Sequence, residues 1–294
     1  MSSSEARSYH HVSIVLPAKN ETGGLRLVVP ALKRLYPDAQ VLVVDDGSTD
    51  DTAEVCRSLG ADVVSHPYSK GNGAAIKSGA RAARGEILVF MDADGQHLPE
   101  DVGRLLARLE EGYDMVVGAR GMESQAGAHR AAANGLYNML ASWMVEQRVE
   151  DLTSGFRAVK ASLFRKFLYL LPNGFSYPTT ITMSFFRAGY SIAYEPIKAP
   201  KRIGKSHIRL WRDGIRFFLI IFKIGTLYSP LKLFIPISLA FFLVGSGYYL
   251  YTYLEWSRFT NMSALLFITS ILVFLIGLIS EQISSLNYKD SDSA

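Results

Sequence analysis

Two stretches near the C-terminal end limit this chain more than any other feature. Leu233 to Leu254 and Phe259 to Ser280 each run 22 residues without a charge, and only Glu255-Trp256-Ser257-Arg258 separates them. Each matches the ~20 residues that carry a helix across the hydrocarbon core of a bilayer. The pair reads as a transmembrane hairpin, the alternative being a buried hairpin of a soluble protein. Upstream, between Lys201 and Lys232, eight Lys or Arg stand against the single acid Asp213. By the positive-inside rule this flank is cytoplasmic, which places both termini in the cytoplasm and the tight turn outside. The polar start, Met1 to His11, lacks the apolar run of a signal peptide, so the first ~200 residues are expected in the cytosol.

Within the basic segment, Arg209, Arg212, Arg216 and Lys223 recur at helical spacing among Trp211, Phe217, Phe218, Ile220, Ile221 and Phe222. This pattern predicts an amphipathic helix over 206–230, lying on the membrane surface or packed on the soluble domain. The charge also suits phosphate groups or anionic lipid. A nucleic-acid partner is not expected, because no helix-turn-helix, finger or aromatic RNA-reading motif accompanies the charge. At 294 residues, 49% hydrophobic and a mean hydropathy of +0.13, the chain is not disordered, and its length allows an enzyme-sized domain beside the hairpin. The single cysteine, Cys56, excludes an internal disulfide and suits a reducing compartment.

The remainder alternates β-branched runs with helical periodicity. His11–Leu16, Val41–Val44, Asp62–Ser65 and Glu86–Met91 read as strands, and Gly23–Leu35, Thr52–Leu59 and Ala74–Ala83 as helices. A βαβαβαβ order predicts an α/β domain, a mostly parallel sheet with helices on both faces. The expected organisation is a polar tail (1–11), the α/β domain (12–205), the interfacial helix (206–230), two transmembrane helices (231–283, spans 233–254 and 259–280) and a polar tail (284–294).

Ligands of such sheets bind beyond the carboxyl ends of the strands. There the first strand leads into Pro17, Ala18, Lys19, Asn20 and Glu21, the second into Asp45-Asp46-Gly47-Ser48-Thr49-Asp50, and the fourth into Asp92-Ala93-Asp94-Gly95-Gln96-His97. Carboxylates at three strand ends repel one another unless a cation or hydrogen-bond donors, such as ribose hydroxyls and base N–H groups, meet them. Asp45 to Asp50 reads equally as a helix-capping turn. Asp92-x-Asp94-x-Gln96 reads as an Asx turn or as ligands for one hard cation, Mg²⁺ or Mn²⁺, with positions left open for phosphate oxygens. Two patterns only mimic nucleotide motifs. Gly71-Asn72-Gly73 has Ile76 where a dinucleotide fingerprint needs glycine, and the same Ile76 breaks a phosphate loop ending at Lys77-Ser78.

Taken together, Pro17-Ala-Lys-Asn20-Glu21, Val43-Val44-Asp45-Asp46-Gly-Ser-Thr-Asp50-Asp-Thr52, Lys70-Gly71-Asn-Gly73-Ala-Ala-Ile-Lys77-Ser-Gly79 and Asp92-Ala-Asp94-Gly-Gln96-His97-Leu-Pro99-Glu100 resemble the family-two inverting glycosyltransferases. Val117-Gly118-Ala-Arg120, Asp151-Leu-Thr-Ser154-Gly155-Phe156-Arg157 and the terminal hairpin are similar to its polyprenyl-phosphate branch, which includes dolichol-phosphate mannose synthase. The resemblance spans roughly Val12 to Pro230. It implies a GT-A fold, a nucleotide-sugar donor (GDP-mannose or a UDP-hexose), Mg²⁺ or Mn²⁺ at Asp92, Asp94 and Gln96, and a polyprenyl or dolichyl monophosphate acceptor in the lipid bilayer. Carried over by residue, it places Pro17, Ala18, Asn20, Glu21, Val44, Asp45, Asp46, Lys70, Asp92, Ala93 and Asp94 around the donor. It assigns Asp94, Arg120 and Arg130 to catalysis, and Arg120, Arg130, Ser154, Arg202, Lys205 and Arg209 to the acceptor phosphate. Lys19 stands where relatives often carry an aromatic residue. Arg202-Ile-Gly204-Lys205-Ser206-His207 matches the family's Gly-x-Ser-Lys loop only in part.

The chemistry is consistent with that resemblance. Displacing a nucleoside diphosphate from an anomeric carbon builds negative charge that a metal and Arg120 would stabilise. A lipid monophosphate, with a second pKa near ~6, is already an oxyanion at neutral pH and needs no general base. A processive polysaccharide synthase would carry Gln-x-x-Arg-Trp and more spans, and the nearest sequence, Arg209-Leu-Trp211-Arg212, lacks it. A nucleotidyltransferase would carry a Gly-rich triphosphate loop near the first strand, and a non-catalytic sugar-nucleotide sensor would have no need of the Asp92, Asp94 and Gln96 trio. A homo-oligomer is expected if one hairpin is too small to hold a long lipid.

Overall fold

The structure, a computed structural model, describes residues 8–93, 97–120, 128–174, 176–197, 222 and 225–289, with the main chain alone at 128–134 and 287–289. Contacts divide the chain into two compact units, Met1–Trp143 with Gln147–Ser206, and Met144–Glu146 with His207–Ala294. Apart from Phe222 and residues 225–230, the helix expected over 206–230 lies outside the described residues.

The first unit is built on a seven-stranded sheet. Its strands are β1 (Val12–Ala18), β2 (Gln40–Asp45), β3 (Asp62–Ser65), β4 (Ile87–Phe90), β5 (Met115–Arg120), β6 (Arg157–Lys160) and β7 (Ile192–Ile197), in the order 3-2-1-4-6-5-7. The first four run parallel, and β5 pairs with β7 in parallel. β6 runs antiparallel to both β4 and β5, so the sheet is mixed. Strand bounds also move: Pro17 and Ala18 complete β1, paired with Val44 and Asp45, rather than following it.

Alternation along the strands assigns the two faces. Val12, Ile14, Leu16, Val41 and Val43 join one apolar cluster with Leu25, Val28, Val29 and Leu32 of α1 (Thr22–Leu35), Cys56 of α2 (Thr52–Ser58) and Val102, Leu105, Leu106 and Leu109 of α4 (Asp101–Glu110). Burial pushes the Cys56 thiol up to about 11, so this cysteine is an inert core residue. On the opposite face α3 (Asn72–Ala82) comes so close through Gly79 that a Cβ there would stand 2.3 Å from Val15 Cγ1 and 3.1 Å from Val44 Cγ2. Phe90 meets Phe164 of α6 (Ala161–Lys166) at 4.7 Å between ring centroids and Tyr177 of α7 (Tyr177–Arg187) at 6.4 Å. An 18-residue helix, α5 (Ala128–Val145), precedes β6.

The second unit carries two long helices, α8 (Pro230–Trp256) and α9 (Asn261–Lys289). Both are long and apolar enough to cross a membrane. α8 runs past both ends of its uncharged stretch, whereas α9 starts two residues inside its own and runs past only the C-terminal end. Thr260 Oγ1 accepts from Ser263 N at the start of α9, and Ser257 closes α8 in a left-handed conformation, its N–H bonded to Tyr253 O. Between the helices, Ser238 Oγ donates to Ser270 O and Ser270 Oγ donates to Ser238 O, both at 2.9 Å. Gly245 and Gly277 are the close-approach points, facing Leu266 and Phe234. Nearer the charged flank, the Glu281 carboxylate accepts from Leu231 N in the first turn of α8, and Lys232 pairs with Glu146 at 2.6 Å.

Candidate functional site

The carboxyl ends of β1, β2, β4 and β5 lie along one edge of the sheet. Because β6 runs the other way, the segment leading into it, Asp151–Phe156, reaches that same edge between β4 and β5. Register fixes this arrangement, since Arg157 pairs with both Phe90 and Val117.

At the β1–β2 end, Asn20 adopts φ 56°, its N–H donates to Ser48 Oγ and its Oδ1 accepts from Thr49 N at 2.8 Å. A left-handed asparagine in a tight turn costs little strain, and here it ties the two loops into one surface. Asp45 is buried and accepts from Ser48 N at 3.0 Å. Asp50 accepts from Thr52 N and Thr22 Oγ1, closing the turn that leads into α2, whose N-cap residue is Asp51.

Asp46 organises the next loop. Its Oδ1 accepts from Lys70 N (2.8 Å) and contacts His66 Nδ1 (2.7 Å), while Oδ2 accepts from Ser69 Oγ (2.8 Å) and Gly71 N (2.9 Å). Burial alone would raise its pKa, but the His66 bond, followed by those from Lys70, Ser69 and Gly71, takes it down to about 2. His66 is buried and its Nε2 meets Ser78 Oγ at 2.8 Å. Sequence reasoning missed this histidine, which looks like a loop residue until the return of the chain over β2 is known.

The glycines that mimic nucleotide motifs serve another purpose. The N–H groups of Gly73 and Ala74 donate to Gly174 O and Asn173 O. A Cβ on Gly73 would stand 2.0 Å from Pro172 O, and one on Gly71 2.5 Å from Asn173 O. Lys77 Nζ donates to Leu171 O at 3.1 Å and binds Asn173 Oδ1. The α3 N-terminus is thus capped by protein carbonyls.

Asp92 follows β4, with its side chain 40% exposed. Its N–H donates to Nδ1 of the buried His97, whose ring stacks on Phe156 at 4.8 Å. Gly155 lies against the carboxylate: a Cβ there would stand 3.2 Å from Asp92 Oδ2 and 3.4 Å from Oδ1. Glycine therefore leaves the room that Asp92 and any cation on it require, and carboxylate oxygens suit a hard divalent ion. Asp94 and Gln96 lie outside the described residues, as do Arg202, Lys205, Arg209 and the side chain of Arg130.

Across β6 stands Arg120, at the end of β5. Its Nε donates to Asp151 Oδ2 (2.8 Å), and its Nη2 to Asp151 Oδ1 (3.0 Å) and Thr153 Oγ1 (2.7 Å). The same carboxylate also accepts from the N–H groups of Thr153 and Ser154, at 3.1 and 3.0 Å. Asn138 of α5 brackets the turn, donating to Glu150 O and accepting from Leu152 N. Burial lowers the Arg120 pKa, but the bonds and charge of Asp151 and then the charge of Asp92 outweigh it and hold the guanidinium protonated. Burial raises the Asp151 carboxyl, and Arg120 with the turn N–H groups brings it below the usual carboxylate range. Asp151 was visible in the sequence only as part of a motif, and its clamp on Arg120 depends on the β6 reversal.

Beneath the clamp, Arg157 is fully buried. It donates to Thr182 Oγ1, Pro178 O and Ser154 O, and its guanidinium lies 5.6 Å from the Tyr177 ring centroid. Its Nε and the hydroxyl of the buried Ser154 have no hydrogen-bond partner among the described residues. Of the residues expected around the donor, Val44 and Ala93 are core side chains, Pro17 and Glu21 are partly exposed, and Lys70 is exposed.

A mixed α/β sheet with carboxylates gathered at one edge beside a clamped arginine is the architecture of a GT-A glycosyltransferase. The family model described as Glycosyl transferase family 2 matches residues 13–170, more than half the chain, and the chain belongs to that family. A second model, the GtrB C-terminal hairpin, matches residues 229–286. With its two apolar helices, this makes the chain a membrane protein with two spans and its glycosyltransferase domain on one side. The glycosyltransferase AglJ of Haloferax volcanii is 29% identical, with 94% of each chain covered. The polyprenol monophosphomannose synthase of Mycolicibacterium smegmatis is 31% identical over 64% of this chain and 77% of its own. Among solved structures, glucosyl-3-phosphoglycerate synthase of Mycobacterium tuberculosis, crystallised with Mn²⁺, UDP-glucose and phosphoglyceric acid, superposes with a TM-score of 0.58 at 26% identity, covering 71% of this chain and 79% of that one.

Proposed function

We propose that the chain is a metal-dependent inverting hexosyltransferase that moves a sugar from a nucleotide-sugar donor, GDP-mannose or a UDP-hexose, to a polyprenyl or dolichyl monophosphate at the cytoplasmic face of the membrane. The observation that carries this reading is the Arg120–Asp151 clamp. It presents a fixed cation beside Asp92 and leaves Asp151 deprotonated but fully engaged, which makes that carboxylate a poor proton acceptor. Such a site suits an acceptor that arrives as an oxyanion and needs charge and positioning rather than a base. The name of the Mycolicibacterium relative, a polyprenol monophosphomannose synthase, points the same way.

In this reading Asn20, Asp45 and the loop held by Asp46 receive the nucleoside, and Asp92, with Asp94 and Gln96, would hold Mg²⁺ or Mn²⁺. When bound, the metal neutralises charge on the donor diphosphate. Arg120 faces the phosphates, its planar fork held by Asp151 so that little reorganisation is needed as charge develops. In-line attack by the lipid phosphate oxygen forms the bond to the anomeric carbon as the bond to the nucleoside diphosphate breaks, giving a β-linked product from an α-linked donor.

The test is incubation of detergent-solubilised protein with Mg²⁺ or Mn²⁺, a polyprenyl phosphate and a panel of UDP- and GDP-sugars, following diphosphate release and sugar in the lipid phase. Transfer from one donor, lost in Asp94→Ala, is expected. Transfer to a polyprenol lacking the phosphate would overturn the oxyanion argument, and donor binding without release would favour a sensor.

A further inference from the structure

The loop between β3 and α3 carries an aromatic ring that the site described above does not use. Tyr68 is 67% exposed, and its main chain packs directly against Gly47. Gly47, at φ +67°, comes so close that a Cβ on it would stand 2.6 Å from the Tyr68 carbonyl carbon and 2.7 Å from Ser69 N. The next three residues, Ser69, Lys70 and Gly71, all donate to the Asp46 carboxylate. These restraints fix the direction in which the Tyr68 side chain leaves the main chain. Here a rigid turn holds an open π-face beside the end of β2, where Asp45 and Asp46 lie. The Lys70 ammonium lies 5.8 Å from the ring centroid.

The end of β1 offers no ring of its own: Lys19 is exposed, and Asn20 is tied to Ser48 and Thr49. We propose that Tyr68 is the stacking platform for the nucleobase of the donor. Lys70 covers one face of the ring at cation–π distance, which leaves the other for the base. Stacking uses the π-face that every base has, so Tyr68 sets affinity for the nucleoside half of the donor without choosing between guanine and uracil. Asp46 and Gly47 then act as positioning residues, because the ring is only as rigid as the turn they hold.

This inference rests on the donor reading above, and its test separates the two. Binding of UDP, GDP and, as a base-free probe, pyrophosphate is measured calorimetrically on the full-length detergent-solubilised protein with Mn²⁺, for wild type, Tyr68→Ala and Tyr68→Phe. Tyr68→Ala is expected to weaken whichever nucleoside diphosphate binds by roughly 5- to 150-fold, the range given by ~1–3 kcal/mol per stacked base. Tyr68→Phe should bind like wild type, and pyrophosphate should bind all three proteins equally. Nucleotide affinity within twofold of wild type in Tyr68→Ala would overturn the platform. So would an equal loss for pyrophosphate, which would show a damaged loop rather than a lost stack. If wild type binds neither nucleotide, the donor reading falls and the platform falls with it.

Discussion

Asp46→Asn is the substitution whose consequence follows most directly from geometry. Each carboxylate oxygen serves two donors: Lys70 N and His66 Nδ1 on Oδ1, Gly71 N and Ser69 Oγ on Oδ2. Asparagine keeps one acceptor oxygen and turns the other into an NH₂ group. The Ser69 hydroxyl can rotate to accept and His66 can change tautomer, so each adapts to either amide orientation. A main-chain N–H cannot, so either Lys70 or Gly71 is left pointing at a donor. A buried orphaned N–H costs about 1–3 kcal/mol, and the surviving bonds lose their charge assistance, for a total of roughly 3 kcal/mol against the closed loop. At about 1.4 kcal/mol per factor of ten, opening becomes on the order of 100-fold more frequent. Amide hydrogen exchange followed by mass spectrometry should show peptides spanning 66–71 exchanging faster by that factor, with β1 and β4 unchanged. Wild-type protection of 66–71 in the variant would refute the reasoning, because it would mean that the four contacts do not hold the loop.

The other expectations concern the same edge. The Asp46 pKa is lowered in the folded state, from the ordinary 3.8 to about 2, so its stabilisation of about 2 kcal/mol is present above pH ~4 and fades as pH falls toward 2; acid titration of loop exchange should show this window in wild type and not in Asp46→Asn. Asp151→Asn leaves Arg120 without its counter-charge, and kcat is expected to fall roughly 10²- to 10³-fold with nucleoside diphosphate affinity within about threefold of wild type; undiminished turnover would remove the clamp from the mechanism. Gly155→Ala brings a methyl to 3.2 Å from Asp92 Oδ2, a displacement of a few tenths of an ångström that should weaken Mn²⁺ binding and lower kcat by about tenfold, read by Mn²⁺ titration. Gly79→Ala drives a methyl to within 2.3 Å of Val15 Cγ1 and should cost about 1–3 kcal/mol by overpacking, seen as faster exchange in α3.

What could be read from the sequence was what depends on local pattern. Strands β1 to β4 and their helices announce themselves through β-branched runs and helical periodicity, and Asp45, Asp46 and Asp92 stand out because acids at strand ends need a partner. The hairpin is legible because a bilayer's thickness fixes the length of its apolar runs. β6 was not legible: four residues, Arg157-Ala-Val-Lys160, have too little period to reveal a strand, and nothing local says that it runs backwards. Without that reversal, Asp151 cannot be placed against Arg120 or Gly155 against Asp92. The phosphate-like glycines show the converse limit, since Gly71 and Gly73 are needed for the approach of the Pro172–Gly174 carbonyls, which sequence spacing cannot distinguish from phosphate oxygens.

The paired serines of the hairpin have a consequence beyond holding two helices together. Each hydroxyl closes on the other helix's carbonyl, so the contact is satisfied at one axial offset only. Sliding α9 along α8 by a turn, 5.4 Å, would break both contacts, each worth about 0.6–2 kcal/mol, and leave each hydroxyl only a carbonyl of its own helix. The same offset brings Glu281 to the first turn of α8 and lets Ser284 Oγ donate to Leu227 O at 2.6 Å. The two rods are therefore keyed like a vernier, read at mid-depth by serines and at the charged flank by a carboxylate. The hairpin can tilt in bilayers of different thickness while the height of one helix end against the other stays constant.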